Sequence, residues 1–384
     1  MSPAHFPRPL SLLFALAAVW AGASQSLLGT CGPFTDTAAD AFCPFILEIF
    51  TLGITTGTTP TTFDPASDVT RTQMAAFLSR SVDGVLKRGS RRAALDQFWT
   101  PQGASSFGVV NLPSPPGNLK SDGADVWIGD FSSVVRVRAS DAKILETWTA
   151  PFAEGIVVAM NRVFVASGTN PGTLSRIDPS QPPGAATAVA SNLGGDPFAA
   201  VFDGTRIWTA NSINSVSIVT PGPSIPWTVT TVSGFSNPAG ILFDGVNVWL
   251  TNFSNDRLVK LDSAGAVLQT VTSASGPLRP TFDGTNIWVP NTLSNSISVV
   301  RASTGVILAT LTGNGLSGPL GSAFDGQRVL VTNQTGNGVS LWKAADLSSL
   351  GNFMTGTGTG PTDVCSDGIN FWISFNGSSQ LGRF

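Results

Sequence analysis

An all-β fold, a seven-bladed β-propeller of four-stranded blades behind a small α-helical module, is what the sequence predicts, and three observations carry it. The first is a repeat. From about residue 107 an Asp-Gly pair recurs as Asp122-Gly123, Asp203-Gly204, Asp244-Gly245, Asp283-Gly284, Asp325-Gly326 and Asp367-Gly368, at a spacing of about 40 residues. The second is the company each Gly keeps. Pro116, Pro197, Pro238, Pro277, Pro319 and Pro361 precede it at a fixed distance, and Trp127, Trp208, Trp249, Trp288, Leu330 and Trp372 follow it. A degenerate copy, "VVAMNRVFVAS", has Met160 in the Gly place and Phe164 in the Trp place. The third is the interior of one unit, "RPTFDGTNIWVPNTLSNSISVVRASTGVILATLTG", where four short apolar runs are separated by D-G, S-N and S-T-G turn signals. Four strands per unit in seven units is the arithmetic of a closed propeller.

In chain order, "MSPAHFPRPLSLLFALAAVWAGASQS" opens the sequence with a weakly basic start, an apolar run from Leu10 to Trp20 and an Ala21-Gly22-Ala23 cleavage pattern. That order predicts a secretory signal over residues 1–23, and no later run is apolar for long enough to span a membrane. Export permits disulfides, and Cys31 and Cys43 are placed to form one, while Cys365 falls at an apolar strand position as a buried thiol. The single histidine, His5, lies within the predicted signal. The exported chain would therefore lack the side chain most used as general base and metal ligand. Charged residues make up 12% and the net charge is -3, which argues against a nucleic-acid partner.

Residues 30–88 read as two short helices. Phe42, Ile46, Ile49 and Phe50 recur near helical spacing, and the polar loop "TTGTTPTTFDPASD" follows. Thr70-Arg71-Thr72-Gln73 is a T-x-x-Q capping box opening a helix with Met74, Phe77, Leu78, Val82 and Val85 on one face. Residues 89–104 complete a linker that begins among the cations Lys87, Arg88, Arg91 and Arg92. The propeller occupies 105–384. Its last unit has room for three strands only, so the strand-like "SSFGVVNLP", residues 105–113, is expected to supply the fourth and remove an open edge.

Phe34-Thr35-Asp36, Ile46, Ile49, Gly53-Ile54, Gly57, Phe63-Asp64-Pro65, Thr70-Arg71 and Leu78, in this order and spacing, resemble an S-layer homology domain. The resemblance implies a module that holds exported proteins on cell-wall polymers, with Arg71 as a polymer contact. The runs "NIWVPN", "VNVWLTN", "TRIWTAN" and "QRVLVTN" resemble YVTN-type propeller repeats, akin to NHL repeats. This second resemblance implies the architecture but no single function.

Within a unit, the recurrent Asp-Gly is expected to turn the chain, the Trp to wedge between blades, and Asn211, Asn252, Asn291 and Asn333 to cap the next loop through Asx-turns. A functional site should break the repeat. The loops between second and third strands share one face with the loops between blades, and the irregular charges there are Asp130, Glu154, Asp196, Asp256, Arg257, Arg279 and Asp363. Arg257 and Arg279, on neighbouring blades, are expected to receive an anionic or sugar ligand, flanked by Asp130, Asp196 and Asp363. No cofactor and no metal is expected, since no D-x-D-x-D loop is present. Propeller lyases of the virginiamycin B type rely on histidine and glutamate around a metal, and the only propeller glutamates here are Glu146 and Glu154. The expected protein is a non-enzymatic, exported envelope component. It joins an anchoring module to a propeller that recognises a protein or a saccharide. A lyase- or lactonase-type enzyme and a purely structural surface-layer component are the other two classes in play.

Overall fold

The computed structural model describes residues 34–37, 43, 46, 49–50, 55–78 and 108–384. The chain divides into two compact units, Met1–Phe98 and Trp99–Phe384. The described residues of the second form 28 strands, β1–β28 in chain order, arranged as seven antiparallel four-stranded sheets. Six of these blades are built from consecutive strands. The seventh has the order β1-β28-β27-β26: β26 (Pro361–Ser366), β27 (Phe371–Phe375) and β28 (Gln380–Arg383) are completed by β1 (Gly108–Asn111). Gly108 faces Arg383 and Asn111 faces Gln380 in that pairing. The expected closing strand is therefore in place. It joins the two ends of the propeller without leaving blade seven a strand short.

Burial follows strand position. Second strands such as Val248–Asn252 and Phe371–Phe375 are buried along their whole length, since both faces meet a neighbouring blade. Outermost strands such as Thr228–Ser233 show mostly exposed residues, which is why their sequence is rich in Thr and Ser. Between blades lie the apolar clusters. Trp249 packs with Leu242 and Leu258 of its own blade and with Ile287, Val289 and Val300 of the next. Trp127, Trp208, Trp249, Trp288 and Trp372 are all fully buried, as the wedge reading requires.

The Asp of each repeat does more than turn the chain. In blade five, Oδ1 of Asp283 accepts the backbone N–H groups of Thr285 and Asn286 at 2.8 and 2.6 Å. Its Oδ2 accepts the indole N–H of Trp288 at 2.7 Å. The same indole-to-carboxylate bond joins Trp127 to Asp122, Trp208 to Asp203, Trp249 to Asp244 and Trp372 to Asp367. The turn and the wedge are thus one device, because a buried indole N–H must find an acceptor. Where the Trp is lost the device changes consistently. Asp325, preceding Leu330, accepts from Arg328 Nε at 3.0 Å. The degenerate blade has Phe164, with no N–H to satisfy, and turns through Met160 and Asn161 at φ 51° and 55°.

The Asn residues correct the expected Asx-turns. Asn291 is fully buried; its amide donates to Ser298 Oγ at 3.0 Å and its oxygen accepts Ser273 Oγ at 2.7 Å. Asn211 reaches Ser215 and Ser217, and Asn333 reaches Ser340. These amides tie the second strand to serines of the third, a packing role that local spacing does not reveal. Cys365 is buried and free, and burial pushes its thiol pKa upward.

In the first unit, residues 71–78 are helical and the capping box is formed. Thr70 N–H donates to Gln73 Oε1 at 2.9 Å, and Gln73 N–H returns a bond to Thr70 Oγ1 at 3.2 Å. Phe34 and Ile46 form a small buried core with Cys43, Phe50 and Phe63 against it. Asp36 accepts the backbone N–H groups of Phe63 and Asp64, fastening the loop to the start of the module. Gly57 has φ +77°, and a Cβ there would meet Phe34 Cε1 at 2.4 Å, so only Gly fits. Cys43 is disulfide-bonded; the expected partner Cys31 lies outside the described residues, as do Val82, Val85, the cationic linker and the predicted signal. Met74 and Leu78, expected on an apolar helix face, are 47% and 60% exposed.

Candidate functional site

Seven innermost strands line the central channel, and the loops after second and fourth strands surround one of its ends. Four of the irregular charges prove to be positioned by the fold itself. Asp130, at the end of its strand, accepts the hydroxyls of Ser114 and Ser133 at 2.6 and 2.8 Å and the N–H groups of Ser132 and Ser133 at 2.7 and 2.6 Å. It is spent on its own turn. Asp256, a left-handed residue at φ 57°, accepts Gly276 N–H at 2.8 Å. Asp363 is buried on β26, and its Oδ2 accepts Leu119 N–H at 3.2 Å across the junction of blades seven and one. Arg257 begins a third strand and is bonded to the Thr272 hydroxyl of its own blade.

The remaining three converge. Arg279 enters the channel from the segment before β18 (Thr281–Phe282), with its guanidinium carbon 4.6 Å from the centre of the Phe198 ring. Its Nε is buried without a hydrogen-bond partner among the described residues. Glu154, second residue of β6 (Ala153–Ala159), carries no side-chain hydrogen bond among the described residues. Burial raises its carboxyl pKa above the ordinary value; the positive charge of Arg279 opposes that rise and the negative charge of Asp196 adds to it. Asp196 is partly occupied, accepting the Ser212 hydroxyl. Gly168 makes the room: a Cβ there would lie 2.7 Å from Glu154 Cγ and 3.2 Å from Asp196 Oδ1.

Asn118 stands beside them, donating at 3.1 Å to the carbonyl of Phe198 and also to that of Glu154. The structure thus groups Arg279 with Glu154 and Asp196 on three blades, and pairs Arg257 with none of them. Among the described residues no three His, Cys, Asp or Glu side chains converge to hold a metal ion. The three charged residues are only half-buried, but Arg279 Nε is a buried donor without a partner among the described residues, an exception to the rule that buried polar atoms are paired.

Two aromatic residues at this mouth escaped the reading of charges. Phe131 and Phe152 are 70% and 39% exposed. Their rings meet edge to face with centroids 4.7 Å apart. Phe152 has φ 56° at a blade junction where Asp196, Asn237, Gly276, Gly318 and Gly360 hold the same left-handed conformation. Its carbonyl accepts Gly168 N–H at 2.8 Å, and Gly168 in turn lies against Glu154 and Asp196. The signal in the sequence was available: an aromatic at a position that other repeats give to Gly, Asn or Asp.

The fold defines the propeller class, and the comparisons agree with it. The virginiamycin B lyase from Staphylococcus aureus has a similar structure, with TM-score 0.60 and 16% identity over 72% of this chain and 98% of that one. So does the Cps50 (Swd1) β-propeller domain of Myceliophteria thermophila, with TM-score 0.61 and 10% identity over 72% and 98%. A putative 6-phosphogluconolactonase from Bacteroides uniformis aligns with TM-score 0.54 and 17% identity over 63% and 83%. At these identities the likeness is one of fold. No curated protein matches the sequence. Residues 33–75 match the S-layer homology domain, and this chain carries that domain ahead of a seven-bladed propeller.

Proposed function

We propose that this is an exported, non-enzymatic protein of the cell surface. Its S-layer homology domain binds a cell-wall polymer, with Arg71 as a contact, and its propeller is a recognition platform for a protein or a saccharide. The observation that supports this most is the pairing, in one chain, of the domain at residues 33–75 with a propeller closed by its own first strand. S-layer homology domains bind cell-wall polymers, which points to the surface or envelope. No helix among the described residues is long and apolar enough to cross a membrane, so attachment through the polymer is the route that the described residues offer. Arg71 is exposed in the first turn of its helix, where it can reach an anionic polymer.

Against catalysis of the lyase kind stands the composition. A histidine-to-alanine variant of the S. aureus enzyme is described as catalytically inactive, whereas the only histidine here is His5. Co-sedimentation with purified cell-wall polymer tests the anchor: the full chain is expected in the pellet, and Arg71→Ala is expected to shift it toward the supernatant. A full chain that stays soluble at every polymer concentration removes the anchoring reading. Stoichiometric metal in the purified protein would reopen the enzymatic one.

A further inference from the structure

The channel mouth combines three features that a solvated surface has no reason to keep together. Phe131 and Phe152 form an exposed aromatic pair, and Phe152 is held in a left-handed conformation that a bulky side chain adopts only at a cost. Glu154 and Asp196 lie against the space left by Gly168. Arg279 presents a buried Nε with no partner among the described residues, its guanidinium fixed over Phe198. Opposite charges within one mouth decide the chemistry of the occupant. A cation attracted by Glu154 and Asp196 is repelled by Arg279, and an anion meets the converse. A hydroxyl group suffers neither penalty, because it donates to a carboxylate and accepts from a guanidinium. The C–H faces of a sugar ring are the apolar, weakly positive surfaces that suit the negative face of an aromatic ring.

We propose that this mouth binds an uncharged saccharide, stacked on Phe131 and Phe152 and hydrogen-bonded by Glu154, Asp196 and Arg279. The proposal rests on the reading of the propeller as a recognition platform and narrows its ligand class. It gives an aromatic residue at this left-handed position a use, since its ring pairs with Phe131 while its carbonyl is bonded to Gly168, the residue that leaves room for the two carboxylates. It also gives the half-buried Glu154 carboxyl, which has no side-chain hydrogen bond among the described residues, a partner in the ligand's hydroxyl.

The test is isothermal titration of the full chain with uncharged oligomers of glucose, mannose and N-acetylglucosamine, alongside sulfated oligosaccharides and a lysine-rich peptide. Saturable binding of at least one uncharged oligomer is expected. Phe131→Ala and Glu154→Gln are each expected to weaken it about tenfold, the equivalent of one lost interaction of roughly 1.4 kcal/mol. Phe131 is largely exposed, so its removal leaves the fold intact, and an unchanged circular-dichroism melt verifies this. The proposal is overturned if no uncharged oligomer binds, if only the sulfated sugars or the peptide bind, or if both variants bind as the parent does. Polymer sedimentation, which depends on the S-layer homology domain, separates failure here from failure of the anchoring reading.

Discussion

Replacing Asp283 by Asn changes one atom and should cost far more than its size implies. The carboxylate accepts four hydrogen bonds: Thr285 N–H and Asn286 N–H on Oδ1, Trp288 Nε1–H at 2.7 Å and Asn286 Nδ2–H at 3.2 Å on Oδ2. An amide offers one oxygen. If it takes the Oδ1 place, its NH2 faces the indole N–H; if it takes the Oδ2 place, its NH2 faces two backbone N–H groups. Trp288 is 0% exposed, so water cannot rescue the stranded indole. A buried donor left unsatisfied costs about 1–3 kcal/mol, and a bond to a charged acceptor contributes about 1.5–3. Because Asp283 itself is partly accessible, the expected loss is about 2–3 kcal/mol, roughly 4–12 °C in melting temperature for a domain of this size.

The Trp288→Phe background supplies the decisive comparison. With the indole N–H gone the donor conflict at Oδ2 disappears, so Asp283→Asn should cost less than about 1 kcal/mol there. Urea unfolding followed by circular dichroism on the four members of this cycle is expected to give a coupling of about 1–2 kcal/mol. Additivity within about 0.5 kcal/mol would refute the idea that turn and wedge are one device.

Three further outcomes are expected. Asp203 is held at about 2: burial opposes this, but bonds from Trp208, Arg206 and Thr205 outweigh it. A depressed carboxyl stabilises the fold above its unfolded value of 3.8, and that stability is lost as pH falls toward 2. Melting curves of Asp203→Asn should therefore lie below the parent's at pH 5 and converge on them near pH 2; parallel curves would contradict the assignment. Glu154 has the opposite sign, because a raised carboxyl destabilises the fold once pH rises through its folded value. Glu154→Gln should raise the melting temperature at pH 7, with the gap closing in acid; an equal gap at all pH values would show that the charge is not the cause. Gly57→Ala forces a Cβ to within 2.4 Å of Phe34 and 2.5 Å of the Thr62 carbonyl at a positive φ. It should abolish polymer sedimentation while leaving the propeller's melting transition unchanged, and a variant that still sediments would show that the loop can give way.

The fold was legible because its determinants are local and recur. Asp283, Gly284 and Trp288 carry the same information as their counterparts in four other blades, and Pro277 marks the approach to the inner strand. A repeat amplifies a weak turn signal into a count of blades, and that count together with the short last unit called for β1 as the closing strand. The capping box at Thr70 and Gln73 was legible for a similar reason, since both partners lie within one helical turn. What recurrence hid was the partner of each recurring group. That Asp accepts the indole, or that Asn291 reaches Ser298 and Ser273 rather than its own turn, depends on strand register.

The site was legible only as a set of irregular charges, which spacing alone cannot sort. Asp130 and Asp363 looked equivalent to Asp196 in the sequence, yet one is consumed by serine hydroxyls and the other by Leu119 N–H. Arg257 and Arg279 looked like a pair on neighbouring blades. Arg257, however, is bonded to Thr272 of the adjoining strand in its own blade, while Arg279, on the approach to an innermost strand, reaches Phe198 of another blade. Composition and repetition by themselves determined that this chain closes seven four-stranded blades behind a helical module and that its propeller lacks histidine. Only the tertiary structure decided that Glu154, Asp196 and Arg279 meet at one mouth beside Phe131 and Phe152. Residues as far apart in sequence as Phe198 and Arg279 become neighbours through the rotation between blades, and no local pattern encodes it.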